Sequence, residues 1–123
     1  MAKSANPGEL RTAVVFKKVG RSQDADGFPV DIEQAIFGQD ADGQDIPSMG
    51  KWVNAHGTEV FTAMQLELKE AATFTTRYSP KYQIQLIAYK AGEADPYEVI
   101  SIDDVEDRHR WVEIKLGRRE GAR

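Results

Sequence analysis

Residues 97–116 read YEVISIDDVEDRHRWVEIKL, two runs of alternating apolar and polar residues separated by an acidic and basic turn. Tyr97 to Ile102 alternates with period two. After Asp103 to Asp107, Trp111 to Leu116 does the same, with Val112, Ile114 and Leu116 on one side. Side chains of an extended strand point alternately to opposite faces, so each run predicts a half-buried strand. The same period holds upstream. Phe74, Thr76 and Tyr78 share one face, Ser79-Pro80 turns the chain, and Tyr82, Ile84, Leu86 and Ala88 read as the next strand before the breaker-rich Gly92 to Pro96. Four short strands at roughly even spacing predict a mainly β fold: an antiparallel sheet closed into a small β-barrel or sandwich.

Working outward, Leu10 to Lys17 (LRTAVVFK) predicts the first strand, with Leu10, Thr12, Val14 and Phe16 on one side, after the turn residues Asn6-Pro7-Gly8. Trp52-Val53 returns to extended structure. Gly57 stops it, and Thr58 offers a helix N-cap. Val60, Phe61, Met64 and Leu68 recur at helical spacing, so one inserted helix is expected over Thr58 to Glu70. Gly117 to Arg123 lacks apolar periodicity and reads as a fraying tail from Arg118 onward. The expected organisation is a single domain over residues 1–123, with its core in 9–117.

Between Arg21 and Gly50 the character changes. Asp24, Asp26, Asp31, Glu33, Asp40, Asp42 and Asp45 face one cation, Arg21, and Gln-Asp-Ala-Asp-Gly occurs twice, at Gln23 to Gly27 and Gln39 to Gly43. This predicts a long acidic loop with room for a short hairpin, anchored by Phe28-Pro29-Val30 and Ile36-Phe37. Closely spaced carboxylates before glycine resemble the start of a calcium loop. The distal glutamate and flanking helices of an EF-hand are missing, and solvated turns are the favoured reading.

Composition narrows the chemistry. With 123 residues, no cysteine, a formal charge of -4 and a mean hydropathy of -0.53, the chain suits one globular domain. The cysteine count excludes disulfides, thiol nucleophiles and thiolate metal sites. The charge argues against tight phosphate gripping. No apolar run reaches the roughly 18 residues a membrane helix needs, and the first residues do not read as a leader. His56 and His109 are the only histidines, which excludes a three-histidine zinc site within one chain. His56, near Asn54 and Glu59, suits an ordered corner better than catalysis. Ser48, Ser79 and Ser101 lack a nucleophile-elbow context. No catalytic, cofactor-binding or metal-binding residue is assigned. Arg108, Arg110, Lys115, Arg118, Arg119 and Arg123 make the C-terminal part basic, a counterpart to the acidic Asp24, Asp26, Asp40 and Asp42 for docking between subunits or to a partner.

Several motifs in order carry a resemblance: Asn6-Pro7-Gly8-Glu9-Leu10-Arg11, Lys51 to Val60 (KWVNAHGTEV), Arg77-Tyr78, Tyr97 to Asp104 (YEVISIDD) and Glu106-Asp107-Arg108. Together they resemble the tailed-phage head–tail joining proteins, also called head-closure or stopper proteins. The resemblance implies a non-enzymatic virion protein of a phage or prophage, assembled in the host cytoplasm. It would form a ring of identical subunits at the head–tail connector, beneath the portal and its adaptor. That ring would close the DNA-filled capsid and offer a surface to the tail terminator or other tail proteins. It implies transient, non-specific contact with double-stranded DNA, no cofactor and no membrane. The segment between the second and third barrel strands lines and closes the channel in stopper members. Here it corresponds to His56 through Ala72, with Gly57, Thr58, Glu59, Phe61, Met64, Gln65, Glu67 and Leu68 as the gating residues. The Arg21 to Gly50 excursion is longer and more acidic than the family pattern. Two alternatives stay open: a tail-side completion or adaptor protein, and a small ligand-binding or hydrolytic barrel using His56 and Glu59.

Overall fold

The computed structural model describes residues 10–55 and 68–119, without the side chains of Leu68, Lys69, Asp107 and Arg119. Seven strands appear in chain order: β1 (Thr12–Gln23), β2 (Pro29–Ala35), β3 (Ser48–Asn54), β4 (Leu68–Arg77), β5 (Ile87–Lys90), β6 (Tyr97–Asp104) and β7 (Trp111–Arg119). All pairings are antiparallel, in the order β2-β1-β3-β4-β7-β6-β5, and β5 pairs back onto β1. Six strands therefore form a closed circuit of hydrogen bonding.

Strand β1 makes this possible. Thr12 to Val14 pair with β3, and Val14 to Lys17 pair with β5. Lys17 pairs with both β5 and β2, and beyond the closed sheet Lys18 to Gln23 pair only with β2. The last part is a two-stranded ribbon whose residues from Lys18 to Gln34 are all exposed. Because neighbours run in opposite directions, strand ends alternate. The ribbon, the 36–47 loop, the 78–86 segment and the 105–110 turn gather at one end. The 91–96 turn, the end of β3 and the start of β4 lie at the other.

The core follows the alternation of the sequence. Val14 and Phe16 of β1, Phe74 of β4, Ala88 of β5, Tyr97 and Val99 of β6, and Val112, Ile114 and Leu116 of β7 are buried together with Tyr82 and Leu86. Phe16 packs against Phe74 at 5.8 Å and edge-on against Tyr82 at 5.1 Å between ring centroids. Fully burying side chains of this size contributes roughly 1.5–3 kcal/mol each.

Several expectations are corrected. The acidic stretch is not one loop: β1 runs six residues past Lys17, and β2 returns along it. Of its two proposed anchors, Ile36 and Phe37 do pack on the core, whereas Phe28 is 66% exposed. Tyr82 to Leu86 is not strand. It makes turns, with Tyr82 and Leu86 buried and Ile84 62% exposed, so only Ile87–Lys90 extends. The expected helix falls largely on residues 56–67, outside the described residues, and its last three positions, Leu68 to Glu70, are β4 paired with Arg118 and Arg119 of β7. Arg118 and Arg119 thus belong to a strand rather than a free tail, because β4 offers a partner that the sequence pattern does not advertise.

Gly50 of β3 has no room for a side chain. A Cβ there would meet Phe74 Cζ at 2.4 Å and the Thr75 carbonyl oxygen at 2.6 Å. Gly50→Ala is expected to cost about 1–3 kcal/mol through forced displacement of core and backbone, read as a Tm fall of roughly 4–12 °C. Gly20→Ala, where an added Cβ meets nothing within 4 Å, is the control and should shift stability by under about 0.5 kcal/mol.

Candidate functional site

The two Gln-Asp-Ala-Asp-Gly segments fold into the same turn. Asp24 Oδ1 accepts from the Asp26 and Phe28 amides, both at 2.9 Å, and Asp40 Oδ1 accepts from the Asp42 and Gln44 amides at 2.9 and 3.0 Å. Each glycine donates to the carbonyl of the first aspartate and sits at positive φ, Gly27 at 84° and Gly43 at 79°. Aspartate organising the backbone two residues on, followed by glycine in the left-handed region, is hairpin chemistry. The first turn joins β1 to β2. The second closes a smaller loop whose only ladder contact is the Gln39 and Asp45 bridge. Asp24 and Asp40 therefore have structural work. Among the described residues no group of three or more His, Asp or Glu is placed to hold a metal ion.

The ribbon has two different faces. On one, Arg21 pairs with Asp31 at 3.3 Å, and Lys17 reaches Asp45 at 3.3 Å and Glu33 at 3.8 Å. Tyr89 OH donates to Glu33 at 2.9 Å. Gln39 and Lys17 hold the Asp45 carboxyl below its ordinary range, the hydrogen bond from Gln39 contributing most. On the other face, Ile32 stands opposite Gly20 and Val30 opposite Ser22, with Phe28 at the tip. The sequence reading took Phe28 and Val30 of this strip as anchors and passed over Ile32, and all three are exposed. The strip's signal was the alternation Val30, Asp31, Ile32, Glu33, hidden inside a stretch dominated by charge.

The basic docking candidates separate. Arg108, in the turn at the ribbon end, lies 3.4 Å from Glu106. Arg110 is exposed beside it. His109, at positive φ, is held by Asp104, which accepts its amide at 2.9 Å and pairs with its ring, while Tyr78 packs on the imidazole at 4.6 Å. Arg118 is at the opposite end and is committed within the molecule. Its guanidinium pairs with Glu70 and with Glu93 at 3.1 Å, donates to the Asp95 carbonyl at 3.0 Å and lies 4.4 Å from the Tyr97 ring centroid. This clamp ties the start of β4 to the 91–96 turn, within the C-terminal part of the segment expected to gate a channel. Of that segment, Gly57 to Glu67 lie outside the described residues, as do His56 and the His56/Glu59 pair of the hydrolytic reading. Two of the three serines have structural partners: Ser48 shares a buried 2.7 Å hydrogen bond with Tyr82, and Ser79 Oγ accepts from the Lys81 amide at 3.2 Å.

Burial, with Glu93 and Glu70 adding to it against Arg118, pushes the Tyr97 phenol up to about 12. The unfolded chain ionises this group near its ordinary value of 10.0, so the contribution to stability is complete below about pH 10 and is lost as pH rises towards about 12. Wild-type stability should fall across that window, and less steeply in Tyr97→Phe; denaturant unfolding at a series of alkaline pH values reads the difference. Arg118→Ala should lower stability at neutral pH by about 1–2 kcal/mol, the low end for charge-assisted hydrogen bonds because Glu70 is half exposed.

Comparison with known proteins follows from this geometry. No curated protein matches the chain. A family model described as Phage head completion protein matches residues 5–120, which takes in every strand, the ribbon, both aspartate turns and the Arg118 clamp. The chain belongs to the phage head completion protein family.

Proposed function

We propose that this protein forms a ring at the head–tail connector of a tailed phage or prophage, closing the DNA-filled capsid and presenting the surface to which the tail attaches. The observation that carries the reading is the family match over residues 5–120. Two structural features support it. The antiparallel sheet closes on itself through the β1–β5 pairing, a shape suited to side-by-side repetition, and its two ends differ in chemistry. One bears the acidic ribbon and turns. The other bears the ends of β3 and β4, which flank residues 56–67. In this reading Gly57, Thr58, Glu59, Phe61, Met64, Gln65, Glu67 and Leu68 face the channel, and the Arg118–Glu70 clamp fixes the far end of that segment to the barrel. The opposite end meets a neighbour in the connector or the tail.

Electrostatics suits a passage for DNA. A binding protein that neutralises many phosphates holds the duplex tightly, whereas a chain of formal charge -4 with Glu59, Gln65 and Glu67 on its channel segment lets it slide. Contact with the genome is thus transient and independent of sequence. The partners are identical subunits, the portal or adaptor above and tail proteins below. The role is structural, in line with a family named for head completion, and among the described residues no helix is long and apolar enough to cross a membrane.

Deleting the gene should leave DNA-filled heads without tails beside normal free tails, with infectious titre down by several orders of magnitude, and supplying the protein in trans should restore joining. Electron micrographs of lysates make the test. Normal tailed particles would contradict the proposal, and malformed tails with closed heads would move the protein to the tail side.

A further inference from the structure

The ribbon presents a physical problem. An isolated two-stranded hairpin is at best marginally stable in water, yet this one runs past the closed sheet for Lys18 to Gln23, about 20 Å at the usual rise per residue. One face joins Arg21 to Asp31 and Lys17 to Glu33, with a single exposed apolar residue, Val19, among the charges. Its other face leaves Val30 38%, Ile32 39% and Phe28 66% exposed, beside the small Gly20 and Ser22. An apolar strip next to small residues is a flat shelf, and an exposed shelf of this kind marks a contact surface.

We propose that the shelf docks on a second copy of this chain, across the outer wall made by β1 and β3. This rests on the ring reading above and specifies one of its contacts. That wall carries Met49 and Val53, 45% and 37% exposed, with Ala13 in register with Met49 and Val15 next along the outward side of β1. Phe28 to Ile32 and Met49 to Val53 are each five residues of extended chain, about 13 Å from first to last, so the two apolar strips match in length. Charge selects the same wall. The ribbon tip carries Asp24 and Asp26, and the β1 and β3 wall carries Arg11 and Lys51. The outward face of β6 and β7 carries three carboxylates, Glu98, Asp103 and Glu113, against one cation among the described side chains, Lys115, and so disfavours an acidic tip. The contact joins two different surfaces, so it repeats head to tail, the kind of interface that a ring of identical subunits requires.

The native chain has no cysteine, which makes cross-linking unambiguous. Phage particles are assembled with Val30→Cys/Val53→Cys chains, with Ile32→Cys/Met49→Cys chains and with each single-cysteine chain, then treated with a short bifunctional maleimide. The double variants are expected to give a ladder of multimers of this chain, and the single variants none. Rings visible at the vertex that yield only monomer, or adducts with a different protein, overturn the proposal while leaving the ring reading intact. Absence of any ring in wild-type particles overturns both. Should the cysteine chains fail to assemble, competition against wild type decides: Ile32→Asp, unchanged in circular dichroism, should enter particles at least tenfold less often, and Arg21→Gln on the opposite face should enter as wild type does. Equal incorporation of Ile32→Asp overturns the proposal.

Discussion

Four residues of one strand, Val14 to Lys17, hold this architecture together. They pair with β5 along one edge, while the same strand pairs with β3 and then β2 along the other. Without the β5 contact the sheet would be open, with edges on β1 and β5 that invite wrong pairing. With it, Val14 and Phe16 become fully buried, and Phe16 joins Phe74 and Tyr82 in the aromatic centre of the core. The strand then continues outward instead of ending, so the element that closes the sheet also builds the ribbon. Closure and ribbon are thus parts of one covalent run, and a force on the ribbon is transmitted directly to the hydrogen bonds that seal the sheet.

What the sequence made legible was whatever depends on alternation next to a core. Val112, Ile114 and Leu116, Phe74 and Thr76, and Val14 and Phe16 all face inward as the period of two required. It was less legible where alternation lacks a core to face. Lys18 to Gln34 is strand on both sides but exposed throughout, so its polar composition looked like loop. Tyr82 and Leu86 misled in the opposite direction: their burial comes from turns that place residues four apart in the core, and the intervening Ile84 points to solvent. Leu68 to Glu70 continued an apparent helical spacing, yet strand pairing with β7 won, since Arg118 and Arg119 supply the ladder and the Glu70 carboxylate meets the Arg118 guanidinium.

The site residues divide by the same logic. A charge count identifies an acidic region but cannot say which carboxylates are already engaged. Asp24 and Asp40 turn out to cap backbone amides, Asp31 and Asp45 meet cations, and Arg118 is absorbed into a clamp with Glu70, Glu93 and Tyr97. The proposed contact between copies draws on the apolar strip for adhesion and on the acidic tip for the choice of surface. The repeated Gln-Asp-Ala-Asp-Gly likewise has a structural explanation, one turn design used twice to fold an acidic stretch back on itself.

Amide hydrogen exchange, compared between the free subunit and the subunit in assembled particles, tests this account most directly. Slow exchange at Val14 to Lys17 in both states, with Lys18 to Gln34 exchanging fast when free and slowly when assembled, is the predicted pattern. Fast exchange at Val14 to Lys17 in the free subunit would deny the closure, and a ribbon that stays equally fast after assembly would deny that it is the contact surface.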